Sequence, residues 1–303
     1  MHSVGRNLGW FVGLFQAWIL AGMLPTSAAD AGAATLRYRF HKGETYSYVL
    51  ERTMTMTVNT GVGDVSVRCN ETVTTDWLVK KVLANGTAWI EQRTRRVQFA
   101  TEAGPAGKVE YDSEKGGKTR GPANNLASAF AALIRNPSFF VITSDGRIDH
   151  FKLSVEAIDA IVGAPLSADD LFKQVELQAL RLPAKTVVKG ESWVDTHETP
   201  MGSVCTLLSK DTITYEGAIQ RKGRPLQRVA IKTCFDLKSR AKNATIKRQA
   251  SEGVVLFDSQ AGRIVEKTYA FDFTTATPVN GQEFLQRNRG KLTLRLLGGT
   301  KSH

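Results

Sequence analysis

Alternation of apolar and polar residues is the feature that most constrains the fold of this chain. One stretch places apolar side chains at every second position: Tyr46, Tyr48, Leu50, Met54, Met56 and Val58. Successive side chains of a strand point to opposite faces of a sheet, so a period of two indicates half-buried antiparallel strands. Turn signals such as Asn85-Gly86 separate the runs. We therefore predict a β-meander over residues 35–100, starting with the alternation of Leu36, Tyr38 and Phe40.

The middle of the chain has a different pattern. Residues 104–121 are rich in Gly, Lys and Glu and are predicted to form an exposed loop. Helices are predicted from Asn124 or Asn125 to about Arg135, over Ser154–Val162 and over Ser167–Ala179, with a hairpin around Ser144–Gly146. Ser167 suits an N-cap, because a serine hydroxyl can accept hydrogen bonds from the first free N–H groups of a helix.

A second β-rich stretch runs from Val187 to Thr275, and a last strand is predicted within Phe284–Leu297. The fold class is therefore predicted as α+β and mostly antiparallel β. Two β-meander segments, as a curved sheet or partial barrel, are joined by a helical middle segment. The predicted boundaries are a signal segment at 1–29, a β-meander and loop at 30–121, a helical segment at 122–181 and a β-rich segment at 182–303. Residues 30–303 can equally form one domain.

The N-terminus has the pattern of a secretory signal peptide. Arg6 is the only charged residue before the apolar run Leu8–Leu24, and small residues follow Pro25. We expect cleavage near Ala29 and export to the periplasm or the exterior. The alternative is a retained membrane anchor. No cysteine stands at the cleavage site, which argues against a lipoprotein.

The charge of the chain is strongly basic. The formal net charge is +11, and removal of residues 1–29, which contain one Arg and no acid, leaves +10 (11 − 1). The basic residues are dispersed rather than clustered on one face, so nucleic acid is not an expected partner. Lipid, an anionic envelope polymer or another envelope protein is expected instead, although the sequence does not choose among them.

Three segments carry a resemblance to a known group of proteins. Leu182–Trp193 fits the pattern LP-x-x-x-V-x-x-G-[DE]-[ST]-W, Tyr38–Tyr48 fits Y-x-F-x-x-G-[DE]-x-Y-x-Y, and Gly253–Ile264 fits G-x-x-x-F-D-x-x-x-G-x-[IV]. In these segments the chain resembles a loosely defined family of exported bacterial proteins of unknown function, common in planctomycete-like genomes. The resemblance implies an exported β-rich fold and contributes no catalytic residue.

The three cysteines suggest at most one intramolecular disulfide. Cys69 follows Val65 and Val67 at strand spacing and is predicted to behave as a small hydrophobe. Cys205 and Cys234 flank a predicted hairpin turn, and an exported compartment permits oxidation. A Cys205–Cys234 disulfide and two unpaired thiols are therefore both open.

Catalytic signatures are missing from the sequence. His197-Glu198 lacks the second histidine of a zinc-binding H-E-x-x-H helix, and no G-x-S-x-G elbow precedes a helix. We therefore expect a protein without enzymatic activity, metal or cofactor.

A ligand site is predicted from the apolar residues of the first strands. Tyr46, Tyr48, Met54 and Met56 could line a cavity together with Phe130 of the predicted helix. The other interpretation is a plain sheet–helix core. The expected role is a non-catalytic binding or cell-envelope component. The alternatives are a periplasmic carrier of a lipid or amphiphile and a hydrolase of envelope polymers.

Overall fold

The computed structural model describes residues 32–59, 63–104, 107–116, 122–162, 167–201, 205–239, 244–279 and 282–300. The predicted signal segment lies outside these described residues. The strands are β1 (Thr45–Asn59), β2 (Asp64–Val82), β3 (Ala88–Glu102), β4 (Lys108–Asp112), β5 (Ser138–Ile142), β6 (Ile148–Lys152), β7 (Ser192–Met201), β8 (Cys205–Arg221), β9 (Arg224–Ser239), β10 (Thr245–Asp258), β11 (Arg263–Val279) and β12 (Gln282–Thr300). The helices are α1 (Pro122–Arg135), α2 (Val155–Ile161) and α3 (Ala168–Leu177).

The strands belong to a single antiparallel sheet. Its order is β6-β5-β3-β2-β1-β12-β11-β10-β9-β8-β7, and β4 pairs with the far end of β3. The first strand pairs with the last one from Thr45↔Thr300 to Val58↔Gln286. The two predicted meanders are therefore halves of one sheet, and the residues that the structure describes form one unit. With 65% of the described residues in strands and few helices, the structure confirms the predicted α+β class.

The inner face of the sheet is the face that carries Tyr46, Tyr48 and Leu50. These alternate residues of β1 are at most 4% exposed and belong to the main hydrophobic core. Val175 of α3 packs in the same core. The helices therefore lie on the inner face, as the alternation of apolar residues requires.

Residues 34–40 do not form a strand, so that part of the prediction was wrong. Leu36, Tyr38 and Phe40 are buried as the alternation implies, but only an isolated bridge between Ala34 and Val187 gives the segment β-type pairing. The period correctly identified which side chains are buried. It could not identify what the backbone binds.

The backbone of this segment binds two turns instead of a neighbouring strand. The Tyr38 N–H donates to the carbonyl of Ser144, and the Arg39 N–H donates to the carbonyl of Gly262. Both turns lie at the end of the sheet where β1 begins, which we call the proximal end. The Tyr38 hydroxyl accepts a hydrogen bond from the Leu180 N–H at 2.9 Å. The segment thus fills the proximal end of the inner face.

Two turns with the sequence Lys-Gly-Glu repeat the same backbone geometry. Gly43 and Gly190 have φ values of 85° and 88°, a region that glycine occupies without strain. Each glycine N–H donates to a backbone carbonyl, that of Val79 in β2 for Gly43 and that of Tyr215 in β8 for Gly190. The short echo between residues 42–46 and 189–193 is therefore also an echo in structure.

Helices α2 and α3 begin where their caps predict. The Ser154 hydroxyl accepts from the Ala157 N–H at 3.1 Å, and Ser167 forms a capping box with Asp170. α1 begins at Pro122, earlier than the predicted Asn124, since proline suits the first turn of a helix. α3 ends at Leu177, two residues before the predicted end.

The predicted loop at residues 104–121 contains the short strand β4, so that prediction was wrong in part. Lys108–Asp112 pairs with Gln98–Glu102. Tyr111 of β4 is 9% exposed, and its ring lies 5.4 Å from that of Phe130 in α1. Burial of this one aromatic ring stabilises a strand in an otherwise polar stretch.

The predicted Cys205–Cys234 disulfide was wrong. Cys205 pairs with Ser239 and Cys234 with Lys210, so the two cysteines are five positions apart along the hairpin (239 − 234). At about 3.3 Å per residue they are roughly 16 Å apart, well beyond disulfide reach. Cys234 is a free thiol, and so is Cys69, which is half-buried.

Candidate functional site

The structure separates the residues predicted to line one cavity. Tyr46 and Tyr48 are buried in the main core at the proximal end. Phe130 packs beneath α1 in a smaller cluster with Val97 and Tyr111. Met54 and Met56 lie on the same face of β1 as the tyrosines but farther along the strand, beyond the cores. The four residues of β1 therefore share one face of the sheet, and Phe130 packs against that sheet from α1, but the five residues do not enclose one space.

The space between the helices and the sheet is small. A cavity of about 40 Å³ lies between α1, α3 and the sheet, lined by Phe130, Leu133, Val175, Glu71, Gln92 and Gln178 among others. Ligand pockets usually measure about 300–1,000 Å³, whereas a water molecule needs roughly 10–15 Å³ by this measure. The sheet–helix contact is thus a packed core with room for a few water molecules.

Several polar groups lie at this small cavity. Gln92 is 8% exposed, and its Oε1 atom has no hydrogen-bond partner among the described residues. Thr75 donates to Gln178 Oε1 at 3.4 Å. Glu71 is 5% exposed and makes a charge contact of 2.7 Å with Arg52. Ordered water is the occupant that suits such a polar lining.

A second, apolar area lies beyond the helices on the inner face. We define it as the distal inner face, and its residues are Met54, Met56, Val58, Val65, Val67, Cys69, Phe271, Phe273, Asn288 and Gly290. The strand register brings these residues together: Met54 is opposite Cys69 and Gly290, and Met56 is opposite Val67 and Asn288. Phe271 and Phe273 continue the same two rows on β11.

Most apolar side chains of the distal inner face are only partly buried, although Phe273 is 4% exposed. Met54 is 39% exposed and Val65 is 48% exposed, while Met56 and Val67 are half-buried. None of these four residues belongs to a hydrophobic cluster within the part of the chain that the structure describes. Partly exposed neighbouring apolar residues are a feature of binding surfaces.

A glycine makes the distal inner face flat at its centre. The ring of Phe271 lies directly over Gly290, where an added Cβ would stand 2.6 Å from Phe271 Cε1. Phe271 and Phe273 extend into an aromatic row with Phe235, whose ring is 4.9 Å from that of Phe273. Because glycine has no side chain, the aromatic ring can lie flat on the sheet there, and the result is a flat apolar surface instead of a filled core.

The sheet separates next to this aromatic row. β9 and β10 pair only from Gly253↔Ile231 to Phe257↔Gln227 within the described residues. Nearer the distal end a side chain replaces the missing backbone bonds, since the Phe235 N–H donates to Gln249 Oε1 at 2.5 Å. On this side the distal inner face therefore ends at a gap in the backbone pairing of β9 and β10, which the side chain of Gln249 bridges.

A polar network lies on the inner face of β7, β8 and β9. His197 is 3.3 Å from Asp195, and this hydrogen bond raises the pKa of the imidazole above its ordinary value against the effect of burial. Thr233 donates to Asp211 at 2.6 Å, so its hydroxyl is bound to a carboxylate and not to the imidazole. These contacts connect β7, β8 and β9, since Asp211 of β8 lies 3.7 Å from His197 of β7 and accepts from Thr233 of β9.

Lys267 connects the sheet to α3. Its Nζ donates to the carbonyls of Leu177 and Ala179, both at 3.0 Å, at the C-terminal end of the helix. Burial lowers the pKa of this amine to about 8, although Asp211 and Asp195 act in the opposite direction. Lys267 thus satisfies two carbonyls that α3 leaves without a partner at its end.

Comparisons with known proteins show a solved structure with a similar fold, but they show no family to which the chain belongs. No family model and no curated protein matches the chain. A solved structure of lipovitellin matches with a TM-score of 0.54 at 13% identity, over 88% of this chain and 26% of that one. The chain therefore spans about a quarter of the length of lipovitellin. At this identity the likeness shows a shared sheet architecture and no more.

Two further matches are weaker. DynF from Micromonospora chersina gives a TM-score of 0.22 at 9% identity, covering 93% of this chain and 92% of that one. An outer membrane channel from Pseudomonas putida F1 gives 0.23 at 8% identity, covering 86% and 97%. Both scores are too low to carry an argument. Of the helices that the structure describes, none has the length and apolar character needed to span a bilayer.

Sequence reasoning named two of the ten residues of the distal inner face as site residues. Met54 and Met56 were named from their alternation, whereas Phe271, Phe273 and Asn288 were not. The signal for the two phenylalanines is the alternation Phe271-Asp272-Phe273, which predicts a strand but not its neighbours. That β1 is next to β12 follows only from the sheet order.

Proposed function

We propose that the protein is an exported, non-catalytic binding protein that holds the hydrocarbon part of an amphiphile against the distal inner face. The observation that carries this proposal is the partial exposure of Met54, Met56, Val65 and Val67 on the inner face of the sheet. Methionine is flexible and polarisable, so such a surface accommodates acyl chains of different shapes.

Three further observations support the proposal. The lipovitellin structure that shares this sheet architecture is described as one of lipid–protein interactions. The basic charge, +11 for the full chain and +10 without residues 1–29, favours association with anionic envelope surfaces. The signal-like N-terminus and the resemblance to exported bacterial proteins agree with a role in the envelope. The cavity beneath the helices is too small for an acyl chain, so we place the ligand on the distal inner face.

A pair of adjacent glutamate substitutions tests the site. We expect Met54→Glu to weaken binding of the apolar fluorophore N-phenyl-1-naphthylamine by about tenfold or more, because a methionine contact is lost and a charge faces the ligand. Thr53→Glu introduces the same charge on the outer face, since neighbouring residues of a strand point to opposite faces. It stands opposite Lys291 and should leave binding unchanged. Fluorescence titration measures both, and thermal unfolding checks that both variants fold.

Two outcomes would contradict this proposal. One is equal loss of binding in the two variants, which would mean that the position of the charge does not matter. The other is a wild-type chain that binds neither the fluorophore nor any lipid extracted from the envelope of its host. A second pair, Met56→Glu and Thr55→Glu, repeats the comparison one row nearer to Asn288.

A further inference from the structure

Asn288 is the polar residue within the distal inner face. It lies in β12, is 6% exposed, and stands opposite Met56 on one side and Phe273 on the other. Along its own strand the neighbours on the same face are Gly290 and Gln286. A buried amide is thus flanked by two apolar side chains on the surface that we propose binds an amphiphile.

The hydrogen bonds of this amide are incomplete. Asn288 Oδ1 accepts from Gln286 Nε2 at 3.1 Å. Asn288 Nδ2 carries two N–H donors, and within the part of the chain that the structure describes this atom has no hydrogen-bond partner. A buried donor without an acceptor is destabilising, and native proteins seldom retain one without a reason. A ligand that supplies an acceptor oxygen at this position would remove that cost.

The charges nearby indicate which kind of oxygen fits. The residues beside Asn288 on the inner face, Met56, Phe273, Gln286 and Gly290, carry no charge. Arg52, which lies nearer the proximal end of β1, is already paired with the buried Glu71 at 2.7 Å. Burial of a carboxylate without a cation is costly, whereas a neutral carbonyl needs only a hydrogen-bond donor.

We infer that the ligand is an acyl lipid whose neutral ester or amide carbonyl accepts a hydrogen bond from Asn288 Nδ2. This inference rests on the proposed function, because it requires the hydrocarbon chain to lie on the distal inner face. The acyl chain runs along Met54, Met56 and the two phenylalanines. Asn288 fixes the position of the carbonyl along the strand and so selects acyl esters and amides over free fatty acids.

Displacement of N-phenyl-1-naphthylamine by three probes tests the inference. Monolauroylglycerol offers an ester carbonyl, laurate offers a carboxylate, and dodecyltrimethylammonium offers no acceptor. We expect wild-type protein to bind the ester most tightly. Asn288→Leu keeps the size of the side chain but removes the donor, and should weaken ester binding by about tenfold while leaving the ammonium probe unchanged. Asn70→Leu, on the exposed outer face of β2, is the matched control and should change neither probe.

An infrared measurement on wild-type protein gives a second test that needs no variant. The stretching band of an isotope-labelled ester carbonyl should lie at lower frequency in the bound lipid than in an apolar solvent, as a hydrogen-bonded carbonyl requires. An unshifted band would overturn the inference, as would tighter binding of laurate or an equal effect of Asn288→Leu on ester and ammonium probes. If wild-type protein binds ester and ammonium probes equally and Asn288→Leu changes neither, this inference fails while the proposed function stands. If wild-type protein binds none of the three probes, both the inference and the proposed function fail.

Discussion

Gly146→Ala is expected to lower the free energy of unfolding by about 3 kcal/mol or more, or to prevent folding. Gly146 has a φ of 85°, which alanine adopts only with strain. An added Cβ would also stand 2.6 Å from the ring carbon Cε2 of Tyr38 and overlap the carbonyl oxygen of Leu180. Urea unfolding followed by tryptophan fluorescence measures the loss.

Gly190→Ala separates the two causes. Gly190 has nearly the same φ, 88°, but nothing lies within 4 Å of its added Cβ. This variant should lose only the cost of the positive φ, about 1 kcal/mol. Equal losses in the two variants would mean that Tyr38 and Leu180 do not pack tightly against the turn at Gly146.

The two glycine variants test whether the turn at Gly146 stabilises the proximal end of the sheet. The segment of Tyr38 and Arg39 has no neighbouring strand and depends on the carbonyls of Ser144 and Gly262. If this segment were displaced, the main core would be open to solvent at that end. A large effect of Gly146→Ala would therefore show that residues 34–40 are part of the folded core and not a linker.

The stability of the wild-type protein should rise with pH in a window set by Lys267. Burial lowers the pKa of Lys267 to about 8 from an ordinary value of 10.5. Below pH 8 the amine is charged in both the folded and unfolded states, and the folded state bears the cost of burying it. As the pH rises from 8 toward 10.5, the folded protein loses the proton while the unfolded chain keeps it, so the unfolded state binds more protons. Stability then increases, by about 2 kcal/mol between about pH 7.5 and pH 9.5.

Lys267→Met removes this contribution. Other groups titrate in both proteins, so the difference in pH dependence between wild type and Lys267→Met isolates the buried amine. Lys291→Met changes an exposed lysine of β12 and should keep the wild-type slope. Urea unfolding at the two pH values measures all three proteins. Parallel behaviour of wild type and Lys267→Met would show that Lys267 is not buried against the end of α3.

Much of the fold could be predicted from local patterns. The alternation around Tyr46 and Met54 predicts β1, and Ser167 with Asp170 predicts the start of α3, because both depend on residues close in sequence. The same period gave a wrong strand at Tyr38, since burial of alternate side chains does not reveal where the backbone N–H groups bind. β4 was missed because burial of a single ring, that of Tyr111, stabilises it, and the rest of that segment is polar.

The candidate site could be predicted only in part, for a related reason. Met54 and Met56 follow from alternation, but their neighbours Asn288 and Phe273 belong to strands more than 200 positions away in sequence. The register of a long hairpin is equally hard to predict. The bulge between Tyr215 and Gly217 and the position of the turn put Cys234 opposite Lys210 instead of Cys205. Pairings of distant strands depend on packing over the whole sheet.

Native mass spectrometry of the exported protein is the most direct test of ligand binding at the distal inner face. The protein would be released from its host envelope without detergent and measured beside Met54→Glu and Thr53→Glu. We predict a bound acyl lipid as added mass on wild type and on Thr53→Glu, and its loss from Met54→Glu. A wild-type protein that carries no added mass, and acquires none on mixing with envelope lipid, would contradict the account.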